Sequence, residues 1–181
     1  SRALDFSQFD LIYAGAQKNM GPAGATLVIV KEAILGKVSR DIPSMMDYAL
    51  FIKKESMFNT PPVFSVYVSM LMLEWLSRNG GIAAIEKKNI RKAELIYSEI
   101  DRNPLFKGFT AVEDRSTMNA TFSLKDDKHT AAFDKLWKSA NISGLNGHRS
   151  VGGYRASMYN ALSTESVQVL VEVMKHFENT I

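Results

Sequence analysis

Tyr13-Ala14-Gly15-Ala16-Gln17-Lys18-Asn19-Met20-Gly21-Pro22-Ala23-Gly24 is a glycine-punctuated stretch set between two apolar runs, Leu11 to Ala14 and Ala25 to Val30. Both runs are short and bounded by turn-forming residues, so they are expected to be buried β-strands, and the stretch between them a loop and not a helix. A lysine in such a loop projects from a rigid scaffold into a cleft, where a reactive amine would be held. Most lysines are solvated surface charges, so spacing alone leaves Lys18 open between the two readings.

Working outward, Lys31 to Gly36 reads as a turn or short helical segment and Asp41 to Glu55 as irregular. A helix then starts firmly. Thr60 is expected to cap it with its hydroxyl, Pro61 suits the first helical position, and apolar residues from Val63 to Leu76 run on to a stop at Asn79-Gly80-Gly81. That helix is apolar on almost every face, which predicts burial between layers or against a partner subunit. Gly80-Gly81 marks the expected domain boundary, giving domains 1–80 and 81–181. Beyond it, Ile82, Ile85, Asn89, Ala93, Ile96 and Ile100 recur at helical steps up to Asn103-Pro104, and Met118, Ala120, Phe122 and Leu124 alternate like a strand with one buried face. Thr130 to Ala140 reads as helix, Ile142 to Leu145 and Tyr154 to Tyr159 as strands, and Ser166 to Phe177 as a closing helix. The second part is thus expected to be a small α+β domain.

Composition narrows the function classes. Twenty-two basic against nineteen acidic residues leave a small positive excess that does not call for a nucleic-acid partner. Glu86-Lys87-Lys88-Asn89-Ile90-Arg91-Lys92 interleaves charges in the manner of a solvated helix face. Zero cysteines exclude disulfides and thiolate metal sites and fit a reducing, cytoplasmic setting. His129, His148 and His176 are too scattered for a metal site. The stretch Val63 to Leu76, interrupted by Ser65, Ser69 and Glu74, is too short to span a bilayer, so no membrane association is expected.

Three motifs in order, Ala14-Gly15-Ala16-Gln17-Lys18-Asn19, Ser56-Met57-Phe58-Asn59-Thr60-Pro61-Pro62 and Gly147-His148-Arg149-Ser150-Val151-Gly152-Gly153-Tyr154-Arg155-Ala156-Ser157, resemble the phosphoserine aminotransferases. The resemblance runs over the whole chain, yet members of that family are about twice as long. With a start at Ser1-Arg2-Ala3-Leu4-Asp5, lacking an initiator methionine or signal-peptide pattern, the chain reads as the C-terminal half of such a protein, inactive alone. The fold implied is α/β: the C-terminal part of the large cofactor-binding domain of a fold type I, class V aminotransferase, followed by a small α+β domain.

The resemblance also implies roles. Lys18 would carry pyridoxal 5'-phosphate and shuttle a proton at the reacting carbon. An ordinary lysine, with a pKa of about 10.4, would be protonated and useless as a base, so burial or a neighbouring cation would have to depress it. Gln17, otherwise a loop glutamine without a role, would help hold the cofactor phosphate. Asn59 and Thr60 would reach the cofactor phosphate of the neighbouring subunit, which implies a homodimer with composite sites. The helix N-terminus they precede also suits a phosphate.

Arg155, otherwise a surface or ion-pair arginine, would anchor the substrate α-carboxylate through two parallel hydrogen bonds. His148 and Arg149, otherwise solvent-exposed, would bind the substrate phosphate. The implied reaction moves an amino group from glutamate to 3-phosphohydroxypyruvate, giving 2-oxoglutarate and O-phosphoserine, a step in serine biosynthesis; bacterial members also act in vitamin B6 synthesis. The aspartate that pairs with the pyridine nitrogen, the stacking aromatic and the main phosphate turn of that family would lie in the other half. Two rival readings are an aminotransferase of the same fold type with another substrate, and a non-catalytic interaction domain.

Overall fold

Aliphatic runs set the first pairing of the chain: β1 (Leu11–Gly15) lies antiparallel to β2 (Thr26–Val30), with Leu11 opposite Val30 and Gly15 opposite Thr26. The computed structural model describes residues 1–181. It divides into two compact units, Ala3–Gly81 and Ile82–Ile181, the second including Ser1–Arg2. In the first unit β1 and β2 form a two-stranded sheet. Their expected burial is not found: Tyr13 is 72% exposed and Leu27 51%, because one pair of strands has too few layers around it to cover both faces.

A 3-10 turn follows at Glu32–Ile34. The segment expected to be irregular, Asp41 to Glu55, instead contains a 3-10 turn at Ser44–Met46 and helix α1 (Tyr48–Lys53). Asp47 starts α1 by accepting the Ala49 N–H at 2.9 Å, and the left-handed φ angles of Glu55 and Ser56 end it.

Helix α2 (Val63–Arg78) begins later than expected. Thr60 does not cap it: Pro62 is the N-cap, no side chain caps the end, and the first helical bond runs from Val66 N–H to Pro62 O at 3.1 Å. Two consecutive prolines explain the delay. A residue before proline is pushed out of the α region, which holds both Thr60 and Pro61 extended. The expected burial of α2 is also not met within the chain, where Ser65 is its one buried residue and Val63, Phe64, Tyr67, Met70 and Leu73 are exposed.

The second unit is built on α3 (Gly81–Arg102), whose amphipathic spacing buries Ile85, Asn89, Ala93, Ile96 and Ile100. A three-stranded antiparallel sheet follows, ordered β3 (Phe106–Gly108), β4 (Asn119–Leu124), β5 (Tyr154–Ser157). Helix α4 (Thr130–Ser139) precedes β5, and α5 (Thr164–Thr180) closes the chain, capped by the Ser163 hydroxyl accepting Ser166 N–H at 3.1 Å. Alternation sends Ala120, Phe122 and Leu124 of β4 into the core. There Phe106, Phe133 and Phe177 meet at ring separations of 5.0–6.4 Å, each buried ring contributing roughly 1.5–3 kcal/mol.

Two expectations fail in this unit. Ile142 to Leu145 is not a strand, because Asn141 and Gly144 take left-handed φ values of 58° and 70°; only an isolated bridge between Asn146 and Tyr154 remains. The charged run at the start of α3 is not wholly solvated either. Lys92 is 0% exposed, its ammonium donating to Met158 O and Tyr159 O at 2.9 Å and to Leu162 O at 3.2 Å. Beside it, the buried Asn89 donates to Asn160 at 2.9 Å. The stem of Lys92 follows the apolar face of α3, and its head closes the turn between β5 and α5.

Candidate active site

Ala16 N–H donates to Ala25 O at 2.9 Å, closing the base of the loop between β1 and β2. Inside it, Lys18 N–H donates to Gly21 O at 2.9 Å and Met20 N–H to Ala16 O at 3.1 Å. This tight turn forces Lys18 to φ +84°. A non-glycine residue there is strained by about 1–3 kcal/mol, and such strain persists only where surrounding contacts impose it. The contacts are visible: Ser65 Oγ of α2 donates to Ala23 O at 2.7 Å. At Gly21 an added Cβ would stand 2.8 Å from Ser69 Oγ. The far limb of the loop thus rests on the first two turns of α2, and only a glycine lets it approach so closely.

Asn59 and Thr60 lie just ahead of those turns and are both exposed. Asn59 donates from Nδ2 to Thr60 O at 3.1 Å. Gln17 and Lys18 are exposed as well, so the burial invoked for a basic Lys18 is not supplied by this unit. Gln17 and Lys18 thus lie in the loop, and Asn59 and Thr60 in the segment that leads into the helix bracing it. Sequence reading missed Ser65 and Ser69, the α2 residues that meet the loop; small polar residues interrupting an apolar helix were the available signal.

The other three candidates belong to the second unit. His148 and Arg149 occupy a turn in which Val151 and Gly152 N–H groups donate to His148 O at 2.9 and 2.8 Å, while Gly147 N–H donates to Gly153 O at 2.8 Å. An added Cβ on Gly147 would lie 2.0 Å from Gly152 O. His148 Nδ1 lies 2.7 Å from Ser150 Oγ and accepts the Ser150 N–H at 3.3 Å. Ser150 was not singled out by sequence; a hydroxyl two residues beyond a histidine in a glycine turn was the clue.

Arg155 sits in β5, opposite Thr121 of β4, on the face turned away from the core. Its N–H donates to Leu145 O at 2.7 Å. Neither Arg149 nor Arg155 takes part in any ion pair of the chain. The preceding residue is pinned: Tyr154 OH donates to Asp134 Oδ1 at 2.9 Å, and Trp137 Nε1 donates to the same oxygen at 3.0 Å. Burial, then the Asp134 carboxylate, pushes the Tyr154 phenol well above its usual range. A groove of about 380 Å³ beside Arg155 is lined by Ile142, Ser143, Leu162, Ser166 and Val169.

The chain as a whole is similar to known proteins. The aminotransferase class-V family model matches residues 1–170. The chain belongs to the class-V aminotransferases. It is 71% identical over all 181 residues to a phosphoserine aminotransferase of Flavobacterium psychrophilum, covering 51% of that protein. Among solved structures, it is similar to phosphoserine aminotransferase from Bacillus circulans subsp. alkalophilus, with a TM-score of 0.91, 42% identity, and coverage of 99% of this chain and 50% of that one. Pyridoxal-phosphate-bound phosphoserine aminotransferase from Trichomonas vaginalis matches with a TM-score of 0.85, 38% identity, and 95% and 49% coverage. The chain spans about half the length of these relatives.

Pyridoxal 5'-phosphate is the group that membership of this family implies. The residues present fit it: a strained loop presents a primary amine at Lys18, and two amides and a hydroxyl at Gln17, Asn59 and Thr60 are exposed donors for a phosphate. The helix behind Thr60 adds N–H groups that have no partner in its first turn.

Proposed function

We propose that this chain is the portion of a phosphoserine aminotransferase that carries the reactive lysine and the substrate-anion ligands. Within the proposal, residues up to Gly80 end a large cofactor-binding domain, and residues from Gly81 form a small C-terminal α+β domain. The observation that carries the reading is Lys18, held at φ +84° by a loop braced against α2. A strained backbone at a residue with chemistry to offer is a mark of a working site.

Pyridoxal 5'-phosphate, when bound, supplies electron withdrawal that makes the substrate Cα proton removable. Lys18 Nζ holds the cofactor and then moves that proton, while Gln17 donates a hydrogen bond to the phosphate of that cofactor, and Asn59 and Thr60 donate to the phosphate of the neighbouring subunit's cofactor. Arg155 grips the α-carboxylate common to glutamate and phosphoserine through two parallel N–H donors. His148 and Arg149 bind the substrate phosphate, which separates phosphoserine from unphosphorylated donors. The exchange consumes glutamate and 3-phosphohydroxypyruvate and yields 2-oxoglutarate and O-phosphoserine, serving serine biosynthesis; the same transfer to a phosphorylated hydroxy-keto acid would serve vitamin B6 synthesis.

The exposed apolar residues of α2 support assembly, since the rest of the protein and a second subunit would cover them. The proposed unit is a homodimer in which Asn59 and Thr60 serve the neighbouring subunit's cofactor. A cysteine-free chain suits a cytoplasmic home.

The test is steady-state transamination by the full-length protein that contains this chain. Arg155→Lys is expected to raise KM for both amino donors, and Arg149→Ala to raise it for phosphoserine far more than for glutamate. Equal losses on both donors with Arg149→Ala would refute the phosphate assignment. A Lys18→Ala protein that still turned over would refute the whole reading.

A further inference from the structure

The turn that presents His148 and Arg149 also bears on which nitrogen of a neutral His148 ring carries its proton. A backbone N–H can only donate, so the Ser150 N–H at 3.3 Å from Nδ1 requires a lone pair on that nitrogen. The Ser150 hydroxyl, 2.7 Å from the same atom, completes the pair by donating to it. A neutral imidazole has one ring proton, and with Nδ1 occupied as an acceptor it must lie on Nε2, at the opposite edge of the ring.

We propose that Ser150 is a positioning residue for phosphate recognition: it fixes His148 as the Nε2–H tautomer, so that the exposed edge of the ring offers a donor. The inference rests on the reading of His148 as a phosphate ligand. The oxygens of a phosphate dianion are acceptors, and a lone pair at Nε2 would repel them. Without the Ser150 hydroxyl, the shorter of the two contacts at 2.7 Å, Nδ1 keeps only the backbone N–H at 3.3 Å; that weaker hold lets part of the ring take the other tautomer, which cannot bind. The turn is closed at both ends, by Gly147 N–H to Gly153 O and by the two donors to His148 O, so Ser150 is held in place before any ligand arrives. Arg149, the neighbouring cation, then supplies the charge while His148 supplies direction.

The test uses the assembled, cofactor-loaded protein that contains this chain, labelled with nitrogen-15 at histidine only, with the His148 signals identified by their loss in His148→Asn. The expected spectrum has an unprotonated Nδ1 and a protonated Nε2, retained in Ser150→Thr and shifted toward a tautomer mixture in Ser150→Ala. Losing one net hydrogen bond predicts that Ser150→Ala raises KM for phosphoserine about three- to tenfold. Neither kcat nor KM for glutamate should move, and Ser150→Thr should restore the wild-type value. A proton on Nδ1 in the wild-type protein overturns the proposal. So does a Ser150→Ala protein with unchanged tautomer and KM while His148→Asn raises KM, which removes the positioning role alone. If His148→Asn itself leaves the phosphoserine KM unchanged, the phosphate role of His148 falls and the proposal with it.

Discussion

Lys92→Met tests whether burial governs the one lysine that the second unit encloses completely. The ammonium has three carbonyl acceptors and no carboxylate partner. Burial, with a smaller contribution from Lys88, pulls its pKa from 10.5 to about 8. For a lysine lowered in this way the unfolded chain keeps its proton over a range in which the folded one has released it. Stability contributed by this group therefore rises with pH between about 8 and 10.5. At 1.36 kcal/mol per pKa unit the ceiling on the rise is about 3 kcal/mol, and the three carbonyls, which favour the ammonium, work to reduce it. Tyr97 and Tyr154, both raised by burial, act in the opposite direction once unfolded tyrosine ionises near pH 10. Comparison with Lys92→Met cancels them.

The assay is urea unfolding at several values of pH from 7 to 10, followed by tryptophan fluorescence in a Trp75→Phe background. The chain has two tryptophans, so this leaves the buried Trp137 to report on the second unit. The stability of the parent minus that of Lys92→Met should climb from pH 8 to pH 10. A difference that stays flat or falls would show that the carbonyl acceptors outweigh desolvation, and would refute the reasoning.

Gly147→Ala should cost about 1–3 kcal/mol, the range for overpacking, because its Cβ would meet backbone at 2.0 Å. It should also raise the phosphoserine KM by opening the turn that holds His148. Gly152→Ala meets nothing within 4 Å and has only its φ of +76° to overcome, so about 1 kcal/mol is expected; the same urea series ranks the two. Ser163→Ala removes the cap of α5 and should lower stability by about 1 kcal/mol, read from the same Trp137 transition.

Long periodic elements were legible because burial dictates their spacing. The apolar recurrence from Ile82 to Ile100 matches α3, and the alternation ending at Leu124 matches β4. Short elements left too little pattern. Tyr48 to Ile52 of α1 leave no polar face to mark a helical period before Lys53 ends it, and β3 has three residues. The start of α2 was misread because the proline that suits a first turn is followed by another, which keeps Thr60 and Pro61 extended. Lys92 was illegible for a different reason. A charge on an apolar helix face reads as solvated until the fold supplies carbonyls at the end of its stem. At the site, Lys18 and its loop were visible from glycine spacing, whereas the left-handed φ of Lys18 and the grip of Ser150 on His148 depend on loop hydrogen bonds that no periodicity encodes.

Reductive trapping with borohydride after loading with pyridoxal 5'-phosphate, followed by peptide mapping of the full-length protein, tests the assignment of Lys18 most directly. The expected result is cofactor fixed to the peptide containing Lys18, with that label abolished in Lys18→Ala. Label on a different lysine, or none on Lys18 in a protein that transaminates, would contradict it.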